Sequence, residues 1–141
     1  MNGPTKSDGW PAAELLTTRL VDAGVAVILH VHGEVDDSTA PELSAALGHA
    51  VAHARNRAVV VDLSGVSFIG SAGIAVLVPA AAASPESTAV PLHIATGDNR
   101  KATRPFATVG ANQMAPLYST LDEALAAVLV THRQRQPAPE E

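Results

Sequence analysis

Two β-favouring segments near the start of the chain predict a hairpin. Apolar and β-branched residues dominate 15–21 and 25–31, and the turn-forming sequence DAG at 22–24 separates them. A short turn between two such segments is typical of antiparallel strands. We therefore expect an antiparallel pair whose second strand ends at Gly33.

A helix and a buried strand should follow this pair. Thr39 stands three residues before Glu42, the spacing of a capping box, and Pro41 is tolerated in a first helical turn. The next apolar residues recur at intervals of three and four, which predicts one buried helix face: Leu43, Ala46, Leu47, Ala50 and Ala54. The nearly unbroken apolar run AVVVDL at 58–63 is typical of a strand covered on both faces. The order strand, helix, strand predicts a parallel pairing.

The remaining apolar segments complete a five-stranded pattern. A glycine-punctuated loop at 64–73 leads into an apolar helix at 74–83, where Pro79 predicts a kink or an early end because proline lacks an amide hydrogen. The last elements alternate strand and helix: a strand at 91–95, a short helix opening at Asp98, a strand near 115–118 and a helix from Leu121 to about Thr131. Thr120 or Asp122 is a suitable cap for the final helix.

Together these elements predict a single α/β domain, a mixed five-stranded sheet with about four helices packed mainly on one side. The chain has 141 residues, of which 47% are apolar, so it can bury a core as one domain. We expect this domain to span 13–132. The segments 1–12 and 133–141 contain glycine, proline or charge without apolar periodicity, and they are predicted to be flexible tails.

Composition argues against several classes of function. The absence of cysteine removes disulfides, thiolate nucleophiles and the common structural zinc sites. A net charge of −5 argues against nucleic acid as a partner. The basic cluster Arg100, Lys101 and Arg104 is interpreted as a solvated helix face, with a rim contact to an acidic partner as the alternative. Because the N-terminus lacks a signal-peptide pattern and no apolar run approaches the ~20 residues of a membrane span, we expect a cytoplasmic protein without a membrane partner.

The titratable residues predict no metal site and no acid–base centre. His49 and His53 lie four apart on a helix, and His30 and His32 share one strand face, but neither pair has a third ligand nearby. Solvated faces are the simpler interpretation of both pairs. Asp62 lies in an apolar run, so we interpret it as a satisfied structural carboxylate at a strand's end. We expect no cofactor.

The loop at 64–73 fails two catalytic motifs. A nucleophile elbow requires glycine two residues before the serine, where Ser71 has Ile69. A phosphate-binding loop requires a lysine after the second glycine of the Gly65 to Gly70 spacing, and Ser71 stands there instead. We therefore predict that the chain is not an enzyme, with a small hydrolase or nucleotide-binding protein as the weaker alternative.

A third pattern fits, and the chain resembles the STAS domain family, in particular the bacterial anti-sigma factor antagonists. The matching motifs are GEVD at 33–36, TAP at 39–41, VVDL at 60–63, FIGSAGIA at 68–75, and RPF at 104–106 followed by Gly110. The resemblance covers about 15–130. It implies a domain that binds an anti-sigma factor, often a serine kinase, and so frees a sigma factor.

The resemblance also implies a switch, in which phosphorylation of a loop serine turns binding off. By position that serine is Ser71, and the family's usual Asp-Ser-Ser/Thr-Gly reads GSAG at 70–73, so two of the four positions differ. The implied contact residues are Asp36, Ser38, Thr39, Gly70, Ser71, Ala72 and Gly73.

The chemistry of Ser71 is consistent with such a switch. A serine at a helix N-cap faces unpaired amides, and a phosphate there would add about −1.5 to −2 charges without unfolding the helix. An ordinary cap that is never modified, in a constitutive binding module, is the alternative for Ser71. Local hydrogen bonding before the helix is the alternative for Asp36.

Overall fold

The structure, a computed structural model of the chain, describes residues 15–81, 92–110 and 117–135. These segments form five strands and four helices: β1 Thr17–Asp22, β2 Ala26–Val35, α1 Ala40–Ala54, β3 Ala58–Ile69, α2 Ser71–Ala81, β4 Leu92–Ala95, α3 Arg100–Thr108, β5 Leu117–Tyr118 and α4 Leu121–Arg135. The strands lie in the order β1-β2-β3-β4-β5, with β1 antiparallel to β2 and all other neighbours parallel. The predicted mixed five-stranded sheet is confirmed.

Helices cover both faces of this sheet. On one face, strand residues such as Leu29 and Val61 pack in a cluster with the buried side chains of α1, α2 and α3. On the other face, Val60 packs in a second cluster with Val128 of α4. Three helices therefore lie on one face of the sheet and one lies on the other, in agreement with the predicted packing of helices mainly on one side. The strands β2 and β3 are apolar in continuous runs because both of their faces are buried.

The central strands β2 and β3 are longer than predicted and continue through glycine residues that were expected to end them. Residues 64–69, predicted as loop, continue β3 as far as Ile69. Strand β2 continues beside them to Val35, with register shifts between His30 and His32 and after Gly33. The prediction that β2 ends at Gly33 is therefore wrong. Gly33 has a φ of 98°, an irregular backbone that glycine permits inside a strand.

Helix α1 begins where predicted but without the capping box. Thr39 holds the N-cap position and makes no side-chain bond to the helix. Its hydroxyl donates to the Glu34 carbonyl oxygen at 2.9 Å and accepts from the Asp36 amide at 2.9 Å. The side chain thus stabilises the preceding loop. The predicted buried face of α1 is confirmed, with Ala46 partly buried at its edge.

Three other helix boundaries differ from prediction. α2 begins at Ser71 and continues past Pro79 to Ala81, so proline does not end it there. α3 begins at Arg100, with Asn99 as its N-cap, instead of opening at Asp98. α4 extends to Arg135, beyond the predicted end and into the segment assigned to the C-terminal tail.

The final helix is capped as proposed. The Glu123 amide donates to the Thr120 hydroxyl at 3.0 Å, so Thr120 and not Asp122 is the cap. No helix within the described segments is long and apolar enough to cross a bilayer. The predicted N-terminal tail at 1–12 lies outside the described residues.

Candidate functional site

Ser71 lies at the junction where β3 ends and α2 begins. The amide of the preceding Gly70 donates to the Val35 carbonyl oxygen at 2.9 Å, and the Gly70 carbonyl oxygen accepts from Gly73 and Ile74, each at 3.1 Å. Ser71 is therefore the first residue of the helix, one position after the predicted N-cap. Its side chain is exposed, and its hydroxyl forms no hydrogen bond with the described part of the chain.

The loop after β2 lies next to this junction because Val35 and Gly70 are hydrogen-bonded. Asp36 organises the loop: its Oδ1 atom accepts from the Ser38 hydroxyl at 2.8 Å, the Ser38 amide at 3.0 Å and the Thr39 amide at 3.1 Å. These bonds hold the pKa of Asp36 below its ordinary value, and the bond from the Ser38 hydroxyl has the largest effect. Asp36 thus has the local hydrogen-bonding role that was its alternative interpretation, and its contact with a partner stays a prediction.

Six of the seven predicted contact residues reach the surface, and Gly73 does not. Ser38 and Ser71 are exposed, while Asp36, Thr39, Gly70 and Ala72 are partly exposed. Gly73 is buried, and a β-carbon on it would lie 2.5 Å from Cγ1 of Val35 and 2.9 Å from Cγ1 of Ile69. This burial corrects the prediction of Gly73 as a contact residue. The absence of a side chain at Gly73 lets α2 pack closely against β2 and β3.

A groove of about 450 Å³ lies beside Ser71, between the end of β3 and helix α3. Its apolar floor, called here the groove floor, consists of Phe68, Ile74, Pro105 and Val109. Its wall, called here the α3 cations, consists of Arg100, Lys101 and Arg104. None of the described residues that line the groove carries a carboxylate or an imidazole.

The apolar half of this groove was not predicted from the sequence. Phe68 is 48% exposed and Val109 is 56% exposed, although both are large apolar side chains. A signal for Phe68 exists: if 64–69 is a strand, Phe68 and the buried Ile69 must face opposite sides. The prediction of a loop over these residues hid that alternation.

Asn99, which was not predicted as a site residue from the sequence, holds α3 against β3. Its Nδ2 atom donates to the carbonyl oxygens of Val66 at 2.7 Å, Leu63 at 3.0 Å and Ser64 at 3.3 Å. Its Oδ1 atom accepts from the Lys101 amide at 3.1 Å and caps the helix. This side chain therefore fixes the start of α3, which carries the α3 cations, against β3.

The histidines and Asp62 lie away from this groove. His30 Nδ1 lies 2.8 Å from Asp62 Oδ2, and Asp62 Oδ1 accepts from the Ser64 amide at 3.0 Å. Asp62 is thus a satisfied structural carboxylate, inside β3 and not at its end. His49 and His53 are exposed on α1. Within the three described segments, no group of three or more His, Asp or Glu residues is arranged to hold a metal ion.

The geometry of the sheet and the order of the motifs agree with one family. Residues 18–117 match the family model described as Mlab, STAS domain. The chain belongs to the STAS domain family. The resemblance inferred from the sequence motifs is therefore confirmed.

Relatives of this STAS domain carry regulatory names. The anti-sigma-F factor antagonist RsfB of Mycobacterium tuberculosis is 33% identical over 118 residues, which are 83% of this chain and 93% of RsfB. The crystal structure of an anti-sigma factor antagonist from Mycobacterium paratuberculosis is 35% identical, with a TM-score of 0.71 over 85% of this chain and 99% of that one. The unphosphorylated form of the anti-sigma factor antagonist SpoIIAA, at 16% identity and a TM-score of 0.61, covers 81% of this chain and 97% of its own and shares the fold.

Proposed function

We propose that this STAS domain is an anti-sigma factor antagonist, which binds an anti-sigma factor in the bacterial cytoplasm and so releases a sigma factor. Two relatives with that name are each about a third identical and match most of the chain. The observation that carries the proposal is the exposed Ser71 hydroxyl in the first turn of α2, beside an open groove with an apolar floor. Such a surface suits contact with another protein.

We further propose that Ser71 is the phosphoacceptor and that phosphorylation ends binding. The first amides of a helix have no helical partners, so a phosphate on Ser71 would find hydrogen-bond donors and the positive end of the helix dipole. The fold should therefore accept the modification. The phosphate adds about −1.5 to −2 charges beside the groove, and the surface changes without unfolding.

The kinase is proposed to be the anti-sigma factor itself or another serine kinase. Gly70 and Ala72 replace an acidic and a hydroxyl residue of the usual motif, which favours a second candidate, a binding module whose serine is never modified. Both candidates bind a partner through the same surface, and they differ in whether Ser71 is phosphorylated. Incubation with candidate kinases and ATP, followed by mass spectrometry of the peptide containing Ser71, separates them.

An enzymatic use of Ser71 is less well supported. Activation of a serine hydroxyl requires a base within hydrogen-bond reach. The described groove residues beside Ser71 offer three cations and no such base. The His30 and Asp62 pair is not among the residues that line the groove.

Displacement of a sigma factor tests the proposed function. Each anti-sigma factor of the source cell is purified with its fluorescently labelled sigma factor, and the chain is titrated into each complex. We expect wild type and Ser71→Ala to displace the sigma factor from one of these complexes. Ser71→Glu should displace it only at concentrations at least about tenfold higher.

The matched control is Ala52→Glu, which adds the same charge on the exposed face of α1 near Arg55, at the opposite end of the sheet. We expect this variant to behave like wild type. If no complex releases its sigma factor, the antagonist function is wrong. If Ser71→Ala and Ser71→Glu release it equally, the charge switch is wrong and the antagonist function stands.

A further inference from the structure

We propose that the groove beside Ser71 binds an acidic amphipathic segment of the partner protein, with the partner's apolar side chains on the groove floor and its carboxylates on the α3 cations. The inference rests on the proposed function, because it describes the partner that the same surface recruits. The observation that supports it is that the apolar groove floor and the α3 cations lie side by side in one groove.

The apolar half is the groove floor. Phe68, one of two phenylalanines in the chain, is 48% exposed, whereas Phe106 is fully buried. Val109 is 56% exposed across the groove from it. Exposed apolar side chains that line one concave surface mark a site of protein contact, since covering them removes apolar area from water.

The charged half is the set of α3 cations. Arg100 and Arg104 are four residues apart and therefore project from the same side of the helix, and Lys101 extends the row. All three side chains are exposed, and none forms an ion pair with any described residue. In a chain of net charge −5, three cations without an ion pair among the described residues, beside an apolar floor, select an acidic partner over a basic one.

The same cations give the phosphorylated state a second effect. Ser71 and the α3 cations line one groove, so a phosphate on Ser71 would compete with the partner's carboxylates for the guanidinium groups. Loss of binding then comes from competition within the groove as well as from repulsion. Removing the cations should weaken wild-type binding and also reduce the additional effect of Ser71→Glu.

Charge reversal on α3 tests the inference with the anti-sigma factor that the displacement assay identifies. We expect the double variant Arg100→Glu/Arg104→Glu to raise the Kd for this anti-sigma factor at least about tenfold and to flatten its dependence on NaCl concentration. The control is Arg19→Glu, which changes an exposed arginine on β1 that forms no ion pair with a described residue, and it should change the Kd less than about twofold. Equal Kd values for the double variant and the control would overturn the inference and leave the proposed function intact.

The apolar floor is tested separately by Val109→Thr, which keeps the side-chain shape and removes its apolar character. We expect a Kd raised about threefold or more, with an unchanged unfolding midpoint because Val109 is already exposed. An unchanged Kd in Val109→Thr and in Phe68→Ala would contradict docking on the groove floor.

A synthetic probe makes the test independent of any sigma factor. It is a helical peptide with leucine at every third and fourth position and glutamate elsewhere, compared with the same peptide carrying lysine in place of glutamate. We expect the glutamate peptide alone to shift the amide resonances of α3 and of Phe68 in the ¹⁵N-labelled chain. Equal shifts from both peptides, or shifts confined to another surface, would contradict the inference even if the antagonist function holds.

Discussion

The Nδ1 atom of His30 lies 2.8 Å from the Oδ2 atom of Asp62, and the two residues are register partners on β2 and β3. Asp62 is only 9% exposed, so its carboxylate needs local donors to remain in the sheet. The ring nitrogen of His30 and the Asp62 carboxyl share this hydrogen bond across the strand pair. The Ser64 amide supplies the second bond. This polar connection joins the two strands whose ends carry the candidate site.

Asp62→Ala should destabilise the domain because it leaves the His30 ring nitrogen and the Ser64 amide without their hydrogen-bond partner. We expect the free energy of unfolding to fall by about 1–3 kcal/mol, measured by urea denaturation at pH 7. Asp37→Ala removes an exposed carboxylate and should change it by less than about 0.5 kcal/mol. A loss in Asp62→Ala no larger than in this control would show that the pair of His30 and Asp62 contributes nothing to stability.

Acid should weaken the connection between the end of β1 and the loop that joins α1 to β3. Arg57 holds Asp22 through two hydrogen bonds, Nη1 to Oδ1 at 2.7 Å and Nη2 to Oδ2 at 3.0 Å. These bonds are the main cause of a pKa of Asp22 far below its ordinary 3.8. Because the folded-state pKa is lowered, the stabilisation is complete above about pH 4 and is lost as the pH falls towards the folded-state value.

Asp22→Asn measures this effect. At pH 7 the variant should unfold at lower urea concentration than wild type, and the gap should shrink progressively below pH 4 as Asp22 becomes protonated in the unfolded wild type. In an Arg57→Gln background the gap and its pH dependence should both diminish. A gap that stays constant from pH 7 to pH 2.5 would rule out the ion pair as its source.

Two glycines provide a matched test of packing. Gly73→Ala places a methyl group 2.5 Å from Cγ1 of Val35, so we expect a loss of about 1–3 kcal/mol in the free energy of unfolding. Gly48→Ala lies on the open face of α1, where a β-carbon meets nothing within 4 Å. It should stabilise the domain by about 0.5–1 kcal/mol through helix propensity. The same sign for both variants in urea denaturation would refute the close approach at Gly73.

Asn99→Asp should loosen α3 while keeping its cap. The substitution retains an oxygen for the Lys101 amide, but it replaces the donor to three β3 carbonyl oxygens with a carboxylate oxygen. We expect the free energy of unfolding to fall by about 2 kcal/mol or more. The control Asn56→Asp, at an exposed position after α1, should cost less than about 1 kcal/mol. Similar losses in both would mean that Asn99 does not anchor the helix.

The amino-acid sequence by itself determined the element types, their order and the pairings of β1 with β2 and of β2 with β3. Those features follow from periodicities of two and of three to four residues, which the side chains carry locally. The order of the motifs was also sufficient to indicate the STAS family. For the same local reason the junction before α2 could be expected to expose Ser71, since a serine between a buried strand and a helix has no apolar face to bury.

Only the tertiary structure decided the features that depend on distant residues. Gly33 and the residues at 64–69 are strand because β2 and β3 pair with each other there, which overrides the tendency of glycine to end a strand. Phe68 and the α3 cations are more than thirty residues apart in sequence, and they line one groove because α3 packs against the sheet through Phe106 and Asn99 bonds to the backbone of β3. Local pattern can identify a strand or a helix, but which side chains meet across a sheet is determined by packing energy that only the folded chain provides.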